Sequence, residues 1–306
     1  MKKILFFIIL TSHILLIGLS SCSGENAVNP TDEITEGSWV TYSPYDWTHD
    51  GNPYTSTYCI VYSDGVSSEM KILAGEFADR IFLEILDQFN FENNNDLMYP
   101  PGYNKIDVYI NRHHQESMAA AYWGSIFITV RNSVLDTTRY RYLFKHELTH
   151  AFEFLIEGTV NLGTDVWFRE GVAVNIGSNG GWNYLRNVDS LNSWRDRNSS
   201  FPNGGNPISI HQWEDFPEGS DITGYYTVFD LVIQYLLDSN GFGKSLQNIL
   251  DLFYQIRNGT PFLTAFQNNF EISLVDFEND IFNRLESYLG NSMCVLLPFN
   301  SYKSND

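Results

Sequence analysis

The sequence predicts an α+β fold in which a small sheet with long helices is followed by a mostly helical region. Runs of β-branched and aromatic residues at 57–65, 103–110 and 124–130 predict strands. Apolar residues that recur every third or fourth position predict long helices, the first of them over 67–89. Beyond residue 177, loops rich in Gly and Asn lead into further helical patterns. The sheet therefore belongs to the first part of the chain.

The local signals in the second part give the helix limits. Asn240-Gly241 and Asn258-Gly259 stop two predicted helices, because Gly tolerates the left-handed backbone that follows a helix end. Thr260 and Pro261 suit the N-cap and first position of the next helix. Ser273, with Asp276 three residues later, predicts the start of a last helix.

Composition and charge limit the function classes. The 306 residues are 43% hydrophobic and 15% aromatic, which is typical of a folded globular protein. With 18 basic and 37 acidic residues the formal charge is -19, which repels nucleic acid and anionic lipid headgroups. We therefore expect no nucleic-acid partner.

The N-terminus has the pattern of an export signal. Lys2 and Lys3 precede a short apolar run, which predicts a signal peptide over 1–21. The sequence LSSC, which ends at Cys22, resembles a bacterial lipobox, in which the cysteine is acylated and the chain is cut before it. The resemblance implies a lipid anchor at Cys22 and a place in the bacterial cell envelope, at the outer membrane. The sequence leaves open whether the protein faces the periplasm or the cell surface. A plain secretory signal that ends near a cysteine is the alternative.

The composition divides the exported chain into three regions. Residues 22–40 are polar and predict a tether. We expect one lobe over 41–180 and a mainly helical second lobe over 181–306 that completes a cleft. Cys59 and Cys294 either form a disulfide or remain two separately buried thiols, and the sequence leaves both possibilities open.

The stretch KHELTHAFEF, residues 145–154, has the spacing of a metal site. His146 and His150 are one helical turn apart, so both rings reach a single ion with bonds of roughly 2.0 to 2.1 Å. Glu147 is rotated by about 100° from His146 and is placed to hold a water rather than the ion. Apolar residues predict that the opposite side of the helix faces the core and that the histidines lie away from it: Phe144, Leu148, Ala151, Phe152 and Leu155.

The third ligand decides the kind of site. The metzincin pattern needs Gly at 153 and His at 156, and Glu153 and Ile156 exclude it. In WFREGVAVNIG, residues 167–177, Glu170 follows His150 after nineteen intervening residues and is predicted to point outward from a second helix. Two histidines and one carboxylate leave the fourth tetrahedral position open, as in catalytic zinc sites. The remaining histidines are isolated and predict no ligation: His49, His113, His114 and His211.

HELTH followed by WFREG resembles the gluzincin zinc metallopeptidases, in particular their thermolysin-like peptidase MA branch. The resemblance implies a zincin-like fold for the first lobe, with 124–130 as the edge strand that lines the cleft and pairs with extended substrate. It further implies one catalytic Zn²⁺ on His146, His150 and Glu170, with Glu147 as the general base.

Two further residues follow from the same resemblance. It implies that Tyr226 stabilises the oxyanion, with its neighbour Tyr225 as the alternative. The chain departs from the family at Val174, because family members have at this position an acidic residue that supports a ligand histidine. In this chain, we therefore expect the support of the ligand histidines to come from Asp165, Glu153 or a backbone carbonyl.

The sequence therefore predicts a zinc-dependent peptidase that acts on a peptide or protein substrate. A lipid-anchored protein of the same fold that captures peptide or glycan without turnover is one alternative. A zinc hydrolase of a non-peptide substrate is another, and it uses the same residues.

Overall fold

In the computed structural model, the described residues are 49, 51–91, 96–112, 119–130, 135–159, 162–178, 222–278 and 280–281. The strands within these ranges are β1 (Tyr54–Thr55), β2 (Cys59–Asp64), β3 (Ile106–Asn111), β4 (Ala119–Tyr122) and β5 (Ser125–Thr129). The helices there are α1 (Ser68–Gln88), α2 (Thr137–Glu157), α3 (Val166–Gly177), α4 (Ile222–Leu237), α5 (Leu246–Arg257) and α6 (Phe262–Phe270). The α+β composition predicted from the sequence is confirmed.

The strands form one mixed sheet in the order β1-β2-β3-β5-β4. The three central strands are parallel, and β1 and β4 pair antiparallel to their neighbours. Val61, Val108 and Ile126 are in register across the central strands and are buried on the same face. The alternation of buried and partly exposed residues in β2 follows the two-residue period of a strand.

The prediction that 124–130 forms the edge strand is wrong. β5 lies between β3 and β4, and the edge is β4, which Trp123 and Gly124 connect to β5. Gly124 has a φ of +77°, which favours glycine in this tight turn. The strand escapes sequence reasoning because it is short and three of its four residues are Ala, which has a low β-propensity.

Helices α1 and α2 pack against each other and cover one face of the sheet. The rings of Phe77 and Phe144 lie 5.2 Å apart, and those of Phe89 and Phe152 lie 4.9 Å apart. Ser67 accepts a hydrogen bond from the Met70 amide and caps α1. The apolar side predicted for α2 is fully buried in this layer.

Helices α3 to α6 form the helical part of the molecule. Trp167 and Phe168 of α3 lie against aromatic rings of the last two helices, with Phe168 5.6 Å from Phe262. Ser273 caps a further turn, because its hydroxyl accepts from the Asp276 amide at 3.1 Å, as predicted. No helix in the described part of the chain is long and apolar enough to cross a membrane.

Some predictions lie outside the described residues, including the signal peptide over 1–21, Cys22, the tether over 22–40 and Cys294. Cys59 is buried and forms no disulfide with any residue that the structure describes, and burial raises the pKa of its thiol.

Asp107 on β3 generates a prediction about stability and pH. This carboxyl is only 2% exposed, and burial raises its pKa from 3.8 to about 6, although a hydrogen bond with Tyr109 opposes the effect. A carboxyl whose pKa is higher in the folded chain than in the unfolded chain lowers the stability of the fold as the pH rises from the lower to the higher of the two pKa values. We therefore expect Asp107→Asn to be more stable than the parent by about 1–3 kcal/mol at pH 7, with the gain disappearing below about pH 4.

Urea unfolding of both proteins between pH 4 and pH 8 measures this difference. Asp87→Asn, which changes an exposed carboxyl at the end of α1, is the control and should show no comparable pH trend. A difference between Asp107→Asn and the parent that does not vary with pH would contradict the prediction.

Candidate metal centre

Two adjacent helices bring the three predicted ligands together. The Nε2 atoms of His146 and His150 on α2 lie 3.2 Å apart. Glu170 on α3 places Oε2 at 3.3 Å from His150 Nε2 and at 3.5 Å from His146 Nε2. Among the described residues, this is the one group of three or more side chains whose ligand atoms could share a metal ion.

The separations fit zinc. Ligand atoms that bind one Zn²⁺ tetrahedrally at roughly 2.0–2.1 Å lie about 3.3 Å apart. The three distances of 3.2, 3.3 and 3.5 Å agree with this value. Both carboxylate oxygens of Glu147 are also buried, and neither has a hydrogen-bond partner among the residues that the structure describes. A buried carboxylate in this state suits a site that takes up further polar groups.

The site is a buried cluster of ionisable groups. His146 and His150 are 1% and 3% exposed, and Glu147 and Glu170 are fully buried. Burial raises the pKa of Glu147 to about 8. Burial would also raise the pKa of Glu170, but the His150 charge and hydrogen bonds from both histidines lower it below its usual range. A bound cation would offset the same negative charge.

Two sequence predictions about orientation are wrong. The ligand side of α2 was expected to lie away from the packed face, and Glu170 was expected to point outward, but both are buried. The reason is that α3 is buried from Trp167 to Gly177 and lies between α2 and α4. A pattern within one helix does not reveal which other helices cover its polar side.

Glu153 supports His150. Its Oε2 lies 2.9 Å from His150 Nδ1, so a proton on Nδ1 is donated to the carboxylate and Nε2 remains available for an ion. Asp165, another predicted candidate, instead accepts from the Trp167 indole at 3.2 Å. At His146, burial lowers the pKa and the contact with Glu170 opposes this, while its Nδ1 has no hydrogen-bond partner among the described residues.

Glu157 and Arg169 hold the start of α3. Glu157 accepts hydrogen bonds from the Gly163 amide at 2.8 Å and from the Thr164 hydroxyl. Burial raises the pKa of both Glu153 and Glu157, and the Arg169 charge opposes this at each. Arg169 precedes Glu170, so the carboxylates of α2 also fix the segment that carries the third ligand.

Tyr226 lies beside His146, as the family resemblance implies. Tyr226 on α4 is 3% exposed, and its ring lies 6.3 Å from the His146 ring at 30°. Burial and the Glu170 charge raise its pKa. The side chain of Tyr225 lies outside the described residues.

Sequence reasoning missed Tyr142, whose ring lies 5.7 Å from His146. Its position one turn before His146, on the ligand side of α2, is the signal that could have found it.

Comparison with solved structures finds M1 zinc metallopeptidases. One, from Deinococcus radiodurans, is 15% identical with a TM-score of 0.41 over 75% of this chain and 49% of that one. A two-domain M1 zinc metallopeptidase variant bound to L-arginine is 13% identical with a TM-score of 0.36 over 78% of this chain and 47% of that one. The chain spans about half the length of these structures.

No family model and no curated protein matches the chain. The similarities to solved structures are too low to indicate a function. A function therefore has to be inferred from the geometry around His146, His150 and Glu170.

The contact between Glu153 and His150 predicts a loss of metal affinity on substitution. Glu153→Ala removes the acceptor that orients the imidazole, and we expect zinc to bind about 10- to 100-fold more weakly. Glu76→Ala is the matched control, because Glu76 is an exposed carboxylate on α1, and its substitution should leave the zinc affinity unchanged. Competition with a chromophoric chelator measures both affinities, and an unchanged affinity in Glu153→Ala would show that Glu153 does not support the site.

Proposed function

We propose that the protein is a zinc-dependent peptidase that hydrolyses peptide bonds, with Glu147 as the general base. The observation that carries the proposal is the separation of 3.2 to 3.5 Å among the ligand atoms of His146, His150 and Glu170. These residues leave the fourth position of a tetrahedral ion open, which is the arrangement of a catalytic site.

The ion, when bound, would supply Lewis acidity toward the substrate carbonyl. Glu147 takes a proton from the attacking water through a carboxylate oxygen and gives it to the leaving amine nitrogen. Tyr226 donates from its hydroxyl to the oxygen that gains negative charge. Glu153 keeps the His150 ring in the orientation and tautomer that leave Nε2 free.

Glu147 favours turnover over capture of a ligand without reaction. Both of its buried oxygens are without a hydrogen-bond partner in the described part of the chain, so no hydrogen bond there compensates for its burial. Such a group is costly to keep unless it acts on a bound molecule. A hydrolase of a non-peptide substrate would use the same residues, and a peptide assay distinguishes the two.

The general-base role gives the main test. Glu147→Gln keeps the ligand set and removes the proton acceptor, so we expect one zinc ion per chain and a fall in kcat on the order of 100- to 10,000-fold. The measurement combines metal analysis with cleavage of a peptide library read by mass spectrometry. Glu76→Gln, an exposed change on α1, is the control and should cleave like the parent. Peptide cleavage by Glu147→Gln at the parental rate would overturn the assignment.

We also infer from the LSSC sequence that Cys22 carries a lipid anchor in the cell envelope. Cys22→Ser should abolish incorporation of labelled fatty acid and release the protein from the membrane fraction. Cys59→Ser, which changes a buried thiol of the folded part, is the control and should still be labelled. Membrane association and labelling that persist in Cys22→Ser would exclude the anchor.

A further inference from the structure

Helices α3 and α4 are in close contact beside the third ligand. A Cβ atom on Gly171, the residue after Glu170, would lie 2.6 Å from the Phe229 carbonyl oxygen and 2.7 Å from the Ile233 side chain. The α4 backbone therefore lies directly against α3 at this point. Because no side chain of residue 171 interlocks the two helices, their register has to be fixed by neighbouring groups.

Asp230 on α4 makes a directional contact across this junction. Its Oδ1 accepts from Asn175 Nδ2 at 3.3 Å, and its Oδ2 accepts from Gln234 Nε2 at 2.7 Å. Asn175 is one helical turn after Gly171, so the hydrogen bond crosses the α3–α4 contact next to Gly171. Burial and then the Asp230 charge raise the pKa of Tyr142, which places this carboxylate near α2 as well.

A fully buried carboxylate is a costly way to join two helices. Asp230 has no exposed surface, and an apolar residue of similar size would avoid the desolvation of a charge. Unlike apolar packing, a hydrogen bond fixes both the rotation and the translation of one helix on the other. Asp230 therefore contributes register rather than simple adhesion.

Tyr226 depends on this register. It lies four residues before Asp230, so the two side chains occupy the same side of α4 one turn apart. The Tyr226 ring lies 6.3 Å from the His146 ring, so a shift of α4 along α3 would change this distance. A displacement of about 1 Å at a reacting centre can reduce the rate by about 100-fold.

We propose that Asp230 is a positioning residue, which holds α4 on α3 through Asn175 and so places the Tyr226 hydroxyl at the metal centre. The inference deepens the proposed function and depends on it for the role given to Tyr226. The ligand that Tyr226 would contact is the anionic oxygen of a substrate or inhibitor at the open metal position.

The test is a double-mutant cycle in the zinc-loaded full chain. Tyr226→Phe should lower kcat by about 100- to 1,000-fold, and Asp230→Ala should lower it by about 10- to 100-fold. If Asp230 acts through Tyr226, the double variant should fall within about threefold of Tyr226→Phe alone. The same cycle applied to the Kd of acetohydroxamate, measured by calorimetry, should give the same non-additive pattern without any turnover.

Three further variants complete the design. Tyr235 lies elsewhere on α4, and its hydroxyl donates to Asp280 at 2.7 Å. Tyr235→Phe removes this hydrogen bond, and we expect its kcat to remain within about twofold of the parent. Asp230→Asn keeps one acceptor oxygen for Asn175 and should recover most of the activity. Asn175→Ala removes the donor and should reproduce Asp230→Ala, which keeps the test valid if Asp230→Ala does not fold.

The outcomes separate the two proposals. Additive losses of kcat and hydroxamate affinity in the double variant would overturn the positioning role. Bound zinc without peptide cleavage by the parent would overturn the proposed function, and the hydroxamate cycle would still decide the role of Asp230. Failure of the parent to bind zinc would overturn both.

Discussion

The close approach of His146, His150 and Glu170 is the constraint on which the rest of this fold depends. Their ligand atoms lie within 3.5 Å of one another in a position that water hardly reaches. Buried carboxylates are costly unless they are paired, because each loses its hydration. Two imidazoles between several carboxylates create a site where a cation is stabilised by groups already in place. The fold therefore has to compensate the negative charge of these buried carboxylates with groups in its interior.

The surrounding helices hold this arrangement because α3 has no exposed side. Aromatic rings from α5 and α6 surround its first turn, and α2 and α4 lie along its length. Glu157 fixes the chain that leads into α3, and Gly171 lets α4 approach without an intervening side chain. A helix enclosed in this way has little freedom to shift, so Glu170 stays aligned with both histidines. Preorganisation of this kind is what a catalytic metal site needs.

The predictions that succeeded depend on short-range geometry. The spacing of His146 and His150 and the cap at Ser273 lie within one turn of chain, where periodicity determines which side chains meet. Glu153 also lies within one turn of His150 and was recognised only as one candidate among several. The contact between Asn175 and Asp230 could not be predicted, because the two residues are 55 positions apart and no local pattern joins them. The burial of the ligand side of α2 was missed for the same reason, whereas β4 was missed because it is short and rich in Ala.

The valine at position 174 means that the carboxylates supporting the metal centre come from helices other than α3. It occupies the position where the family resemblance implies an acidic residue, but it is fully buried, where an unpaired charge would be costly. Asn175, rotated by about 100° around α3, faces α4 and bonds Asp230. The carboxylates that support the centre thus belong to α2, through Glu153, and to α4, through Asp230, rather than to α3. Because three helices share this support, His150, Glu170 and Tyr226 keep their relative positions only while all three remain packed, which couples assembly of the metal centre to folding of the helical region.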